Sequence, residues 1–146
     1  MKKINDLREC AIGLLARREH SRYELKQKLL IKKYPFLAVE SVLVSLAEEG
    51  LQSDERFSEN YVRRRAEMGF GPHRISLELS QKGINKSLIN KYINKESEFW
   101  CLALSSVWQR KYDTLQGKDF RKQAHFLIQR GFSPQQVYAL LRGIDV

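Results

Sequence analysis

Apolar residues recur along this chain four apart, then break, then recur again. Leu25 and Leu29 form such a pair, and so do Ile75 and Leu79. Residues four apart lie on one stripe of an α-helix, because each residue turns the chain by about 100°. No stretch alternates apolar and polar positions convincingly enough to read as a strand. The pattern also repeats. A shift of fifty lays Leu25, Leu29, Tyr34, Val39 and Leu43 on Ile75, Leu79, Ile84, Ile89 and Ile93. A further shift of forty-eight lays Leu79, Gly83, Ile84, Ile89 and Ile93 on Leu127, Gly131, Phe132, Val137 and Leu141. The weak point is Gln123, which meets Ile75.

Each repeated set predicts a helical hairpin. The first stripe ends at a position suited to glycine, which takes the left-handed C-cap conformation readily. The next apolar residue packs back across the turn, and a second stripe follows. "QKGI" and "QRGF" share the glycine, whereas the first turn, "IKKY", carries Lys33. Capping residues agree. "SRYE" places Ser21 at an N-cap with Glu24 three residues on, a capping box, and "SPQQ" offers Ser133, Pro134 and Gln136 in the same roles. Pro35 and Pro72 also sit at helix starts, and Gly50, Gly83 and Gly131 at helix ends. A leading helix precedes each hairpin, at roughly 5–18, 54–68 and 97–112. The expectation is an all-α protein of nine helices in three three-helix repeats, 1–50, 51–96 and 97–146, with no long linker. Leu25, Leu29, Ile75, Leu79, Leu127, Val137 and Leu141 are its predicted core. Trp100 and Trp108, eight apart with Leu104 between, read as core rather than as a base-stacking platform.

Composition narrows the function. The chain has 146 residues, 42% hydrophobic and 29% charged, with a net charge of +9 and a pI of about 9.7. That balance favours a polyanionic partner, most simply nucleic acid. The charge is dispersed: residues 1–50 carry +3, 51–98 carry +2 and 99–146 carry +4. Whatever the cations touch, they touch from along the folded body. No apolar run approaches the ~18 residues a membrane helix needs, and the first residues lack a signal-peptide pattern. Cys10 and Cys101 read as reduced thiols of a cytosolic protein.

The densest charge is "YVRRRAEMGFGPHRI", residues 61–75, where three arginines run into a break. Cations at a helix C-terminus complement its dipole, and Arg63 has Glu59 and Glu67 four residues away. The run therefore reads either as a helix terminus or as a contact surface. Three successive residues cannot share one direction. Phe57 and Tyr61 draw Arg64 or Arg65 toward the edge of the core, at a seam between helices.

Motifs for chemistry are absent. The three histidines lack metal-ligand spacing, no Walker, dinucleotide or nucleophile-elbow motif occurs, and the carboxylates of "SDE" at 53–55 read as helix caps. Neither a cofactor nor a metal is expected. A helix-turn-helix reader of DNA is disfavoured, because "LAVESVLVSLAEEG" is acidic and "PQQVYALLRG" is mostly apolar.

"LLARREHSRYELKQKL" (14–29), "EEGLQSDERFSENYVRRRAEMGFGPHRISLELSQKGI" (48–84) and "FLIQRGFSPQQVYALL" (126–141) together resemble the RecX family of bacterial regulatory proteins. The likeness spans nearly the whole chain in order and spacing. It departs at the first hairpin turn, which lacks its glycine, and at "SDERF", where Asp-Asp is commoner. The resemblance implies tandem three-helix repeats in an elongated, curved body. It also implies a non-enzymatic, cytoplasmic modulator of the RecA recombinase. Such a protein restrains RecA filament extension, DNA-dependent ATPase, strand exchange and the SOS coprotease activity, and so modulates recombination and DNA repair. The partners expected are RecA and its DNA filament, with weak direct DNA binding, no membrane and a monomeric state. The alternative is a nonspecific nucleic-acid-binding helical protein acting on DNA directly. The candidate contact residues are arginines near helix junctions: Arg17, Arg18 and Arg22, then Arg63, Arg64, Arg65 and Arg74, then Arg121 and Arg130.

Overall fold

The computed structural model describes residues 4–112 and 119–144. Among the described residues there are nine α-helices and no strand. They are α1 (Ile4–Arg17), α2 (Arg22–Ile31), α3 (Phe36–Glu48), α4 (Asp54–Glu67), α5 (Pro72–Gln81), α6 (Lys86–Tyr92), α7 (Glu98–Lys111), α8 (Phe120–Gln129) and α9 (Pro134–Ile144). None is long and apolar enough to cross a membrane. The expected ends hold to within about a residue, and Leu25, Leu29, Ile75, Leu79, Leu127, Val137 and Leu141 are all buried.

One turn geometry recurs and explains the repeat. At the end of α2, Lys33 takes φ 68°, and the Tyr34 N–H donates to the Leu29 carbonyl at 3.4 Å. At the end of α5, Gly83 takes φ 77°, and Ile84 N–H reaches Leu79 O at 3.1 Å. At the end of α8, Gly131 takes φ 107°, and Phe132 N–H reaches Leu127 O at 3.3 Å. Each is a helix stop of the Schellman type: a left-handed residue reverses the chain, and the next residue lies over the one five positions back. That is why apolar residues recur at spacings of four and then five.

The chain forms two compact units. The first holds the described residues up to Asn60 together with Leu79–Ile89. Its core is set by Leu7 and Ala11 of α1, Leu25 and Leu29 of α2, and Val39, Val42, Leu43 and Leu46 of α3. The Ser21–Glu24 capping box forms as expected. Pro35 lies one residue earlier than the first helical position, at the N-cap of α3. The Asp54 carboxylate is expected at the start of its own helix, where the sequence reads the 53–55 carboxylates as caps. It instead accepts from the Arg22 N–H at 2.8 Å and from Gln52 Nε2 at 3.0 Å, and so caps α2 from outside.

His20, only 1% exposed, closes this junction. Its Nδ1 lies 3.0 Å from the Arg18 carbonyl and its Nε2 2.9 Å from Lys28 Nζ. Both contacts are satisfied by the neutral ring that donates from Nδ1 and accepts at Nε2. Burial pushes the His20 pKa down, and the charges of Arg18 and Lys28 push the same way. At Glu24, burial favours the neutral acid. Hydrogen bonds from Arg18, Ser21 and Lys82 outweigh it, holding the carboxyl at about 2. Both folded values lie below the unfolded ones, so each group's stabilisation is complete at higher pH and is lost as pH falls. The melting temperature, followed by circular dichroism, should therefore drop as pH falls below 6.5. It should drop again between 4.5 and about 2 as Glu24 protonates. His73, lowered by partial burial and by Lys95, adds to the first slope. His20→Asn should flatten most of that slope; an unchanged slope would show that His20 does not titrate against folding.

The second unit holds Tyr61–Glu78 and the described residues from Asn90 onward. Trp100, Leu104, Val107 and Trp108 of α7, Ala124 and Leu127 of α8, and Val137 and Leu141 of α9 are buried in it. Gln123, the break in the repeat, is buried too. Its Oε1 accepts from Trp108 Nε1 at 2.9 Å, so the polar residue is retained to satisfy the indole. Gln136 does not complete a capping box: its Nε2 turns to the Lys95 carbonyl at 3.5 Å and its Oε1 is left without a partner.

Candidate functional site

The arginine run and the break after it resolve into one construction within the second unit. Gly69 takes φ 92° and ends α4, and the Phe70 N–H donates to the Arg65 carbonyl at 3.1 Å. This is the same stop as in the hairpins, with one change. The residue five positions before Phe70 is an arginine rather than an apolar side chain, so the Arg65 guanidinium lies 3.8 Å from the centre of the Phe70 ring. Arg74 of α5 and Arg130 at the end of α8 approach the same ring at 4.4 and 4.7 Å. One half-buried phenyl ring thus carries three guanidinium groups.

Backbone contacts hold these pieces in register. The Gly71 N–H donates to the Arg130 carbonyl at 2.7 Å, and the His73 N–H to the Gly131 carbonyl at 2.9 Å. A methyl group on Gly71 would sit 2.5 Å from the Gly131 carbonyl carbon, so two glycines are required for the backbones to close. Arg74 Nη1 donates to the Gln129 carbonyl and Arg130 Nη1 to the Met68 carbonyl, each at 3.4 Å.

Among the described residues the charge is only partly compensated. Glu78 receives Arg65 Nε at 3.0 Å and Nη2 at 2.7 Å, a bidentate pair, with Tyr61 Oη at 2.9 Å and Arg74 Nε at 3.4 Å. Burial pushes the Glu78 carboxyl up, but hydrogen bonds from Arg65 and Tyr61 outweigh it and hold its pKa low. Arg110 of α7 lies beside Gly69. Lys111 sits 4.2 Å from the Phe126 ring, which Arg130 also faces at 5.2 Å. The groups so assembled are five cations, three aromatic rings and one carboxylate. Arg65 commits Nε and Nη2 to Glu78, and Arg74 and Arg130 each give one donor to a backbone carbonyl, so the remaining N–H groups of Arg74 and Arg130 are the ones that suit phosphate or carboxylate oxygens.

Of the arginines picked out from sequence, Arg65, Arg74 and Arg130 therefore meet. Arg63 and Arg64 are exposed on other faces of α4, so the run divides as the helical rotation requires. In the first unit, Arg17 is exposed, Arg18 pairs with Glu24 at 3.2 Å and Arg22 with Glu40 at 3.3 Å. Arg121 lines a separate open cleft of about 520 Å³ with Phe120, Ala124, His125, Ile128 and Tyr138. Phe70, Glu78, Arg110, Lys111 and Phe126 were not singled out from sequence. A signal for Phe70 was available: it stands five residues after Arg65, with a glycine between, as Phe132 stands to Leu127. Among the described residues no group of His, Cys, Asp and Glu is placed to hold a metal ion, and Cys10 and Cys101 are free thiols.

Residues 8–46 match the description "RecX, first three-helix domain", and residues 53–93 match "RecX, second three-helix domain". "Regulatory protein RecX" of Pseudomonas entomophila strain L48 is 41% identical over 143 residues, covering 96% of this chain and 92% of its own. The protein of the same name from Ectopseudomonas mendocina strain ymp is 41% identical over 142 residues, 95% of each chain. Among solved structures, RecX from Lactobacillus salivarius superposes with a TM-score of 0.78 at 20% identity, covering 97% of this chain and 96% of that one. A second structure, of regulatory protein RecX, gives 0.74 at 23% identity, over 96% of this chain and 73% of that one.

Proposed function

The chain belongs to the RecX family of regulatory proteins, and from that premise we propose that it binds the RecA recombinase and its DNA filament and restrains filament extension. Family membership across nearly the full length carries this reading. The restraint extends to the activities that depend on the filament: DNA-dependent ATPase, strand exchange and the coprotease function of the SOS response. The protein acts by occupancy rather than by turnover. The three-helix repeats 1–50, 51–96 and 97–146 each offer a patch, and weak patches on one chain add through effective concentration when they engage neighbouring subunits of a polymer.

The Phe70 cluster is the contact we assign to the second and third repeats. A nucleoprotein filament presents negative potential, and an excess of stacked arginines suits it. The same cluster would suit DNA alone, which is the second reading. The two separate on one measurement. Purified protein should lower the DNA-dependent ATPase of its cognate RecA at near-stoichiometric amounts, and electron micrographs should show shortened filaments. These effects should appear at concentrations where bare single-stranded DNA remains uncoated. An unchanged ATPase across a wide concentration range would sink the regulatory reading. Inhibition that tracks coating of bare DNA would favour the second.

A further inference from the structure

The turn between α2 and α3 departs from the other two hairpin turns in two ways. It exposes large apolar side chains together: Ile31 is 77% exposed, Phe36 54% and Leu37 80%, all within seven residues. Single exposed apolar residues need no explanation, but three on one turn make a patch. The turn is also basic, as the other two hairpin turns are, with Lys26 paired to Glu40 at 2.6 Å and Lys32 and Lys33 exposed. No acidic residue occurs between Glu24 and Glu40. Lys26 Nζ stands 4.7 Å from the Phe36 ring. Lys33 further occupies the left-handed position, φ 68°, that Gly83 and Gly131 occupy in the other two hairpins. Glycine would make this stop without strain. A lysine there retains a side chain at a conformational cost.

We infer that this turn is a second docking point, an apolar knob of Ile31, Phe36 and Leu37 collared by lysines, which seats in an apolar, acid-rimmed groove of the protein partner. The inference rests on the reading that the partner is a protein filament. A phosphate backbone offers nothing to Ile31 or Leu37. A bilayer needs a broader apolar face, because anchors of this size hold only marginally, and beyond Tyr23 and Val44 the other large apolar residues of α2 and α3, Leu25, Leu29, Val39, Val42, Leu43 and Leu46 among them, are mostly buried. Three large side chains are instead the size of a protein–protein hot spot. The lysine collar specifies acidic groups at the rim of the receiving groove.

The test uses the full chain with Ile31→Ser and Leu37→Ser together, and separately Lys33→Gly. Binding is measured to RecA assembled on single-stranded DNA, to the bare DNA, and to phosphatidylglycerol–phosphatidylcholine vesicles. The double variant should melt like wild type, bind bare DNA as before, and bind the filament about 10-fold more weakly. Lys33→Gly should melt higher and yet bind the filament less tightly. A double variant that binds the filament like wild type overturns the knob while leaving the proposed function standing. Vesicle binding that the double variant loses, with filament binding intact, overturns it in favour of a lipid surface. Wild-type protein that fails to bind the filament at all overturns the proposed function and this inference with it.

Discussion

Gly131→Ala should cost about 3 kcal/mol of folding stability, read from urea or thermal unfolding. Two effects add. A side chain at φ 107° is strained, at roughly 1–2 kcal/mol. The new Cβ would also fall within contact distance of the Arg74 Cβ and 2.7 Å from its backbone nitrogen. Overpacking of this kind costs about 1–3 kcal/mol where the neighbour cannot move, and backbone cannot. Gly71→Ala meets the same surface from the other side and should cost a similar amount without the φ strain. Because both alter one contact, the double variant should cost less than the two single changes together. Gly13→Ala supplies the opposite sign. Gly13 lies inside α1 with nothing within 4 Å of an added methyl, so it should stabilise by about 0.5–1 kcal/mol. A Gly131→Ala protein that unfolds at the wild-type urea concentration would show that the 69–72 loop does not dock on the α8 turn.

The second large effect concerns binding. Replacing Arg65, Arg74 and Arg130 together by alanine should weaken binding to the RecA filament by about 100-fold or more. Arginines at the centre of an interface are each worth about 1–2 kcal/mol or more on truncation, and each 1.4 kcal/mol is a factor of ten. Arg63→Ala with Arg64→Ala, on other faces of the same helix, should cost about tenfold less than that triple. The three lysine replacements keep the charge and lose the bidentate and stacked geometry, so they should recover only part of the affinity. Folding needs its own check, because Arg65 also pairs with Glu78 with both side chains under 20% exposed. A thermal melt of the triple variant supplies that check, while Phe70→Leu removes the ring under the arginines, keeps an apolar residue at the stop, and should weaken filament binding without the loss of charge. A triple-alanine protein that melts normally and still inhibits RecA at wild-type potency would return the arginines to the lesser role of helix-terminus charges.

The helices, their order and most of their ends were legible in the sequence, because the signals that specify them are local. A stripe spaced by four, a Ser-to-Glu box, a proline at a helix start and a glycine at its end act within one or two turns of chain. The buried set followed for the same reason: Leu25, Leu79 and Leu127 occupy one position of a repeated hairpin. The family resemblance was legible too, since it rests on ordered motifs. The site was legible only as a list. Arg65, Arg74 and Arg130 were chosen with six other arginines; helical rotation set Arg64 or Arg65 apart from Arg63, but nothing in the spacing ranked Arg74 or Arg130. What brings those three to Phe70 is the closing of the Gly71 backbone on Gly131, a contact between residues sixty positions apart. Gln123 looked like a flaw in the repeat until Trp108 supplied its hydrogen bond, and Asp54 looked like a cap for its own helix until it reached Arg22. Each of these depends on where one helix's polar atom falls against another helix's surface. Periodicity reports which face of a helix is buried; it does not report what that face will meet.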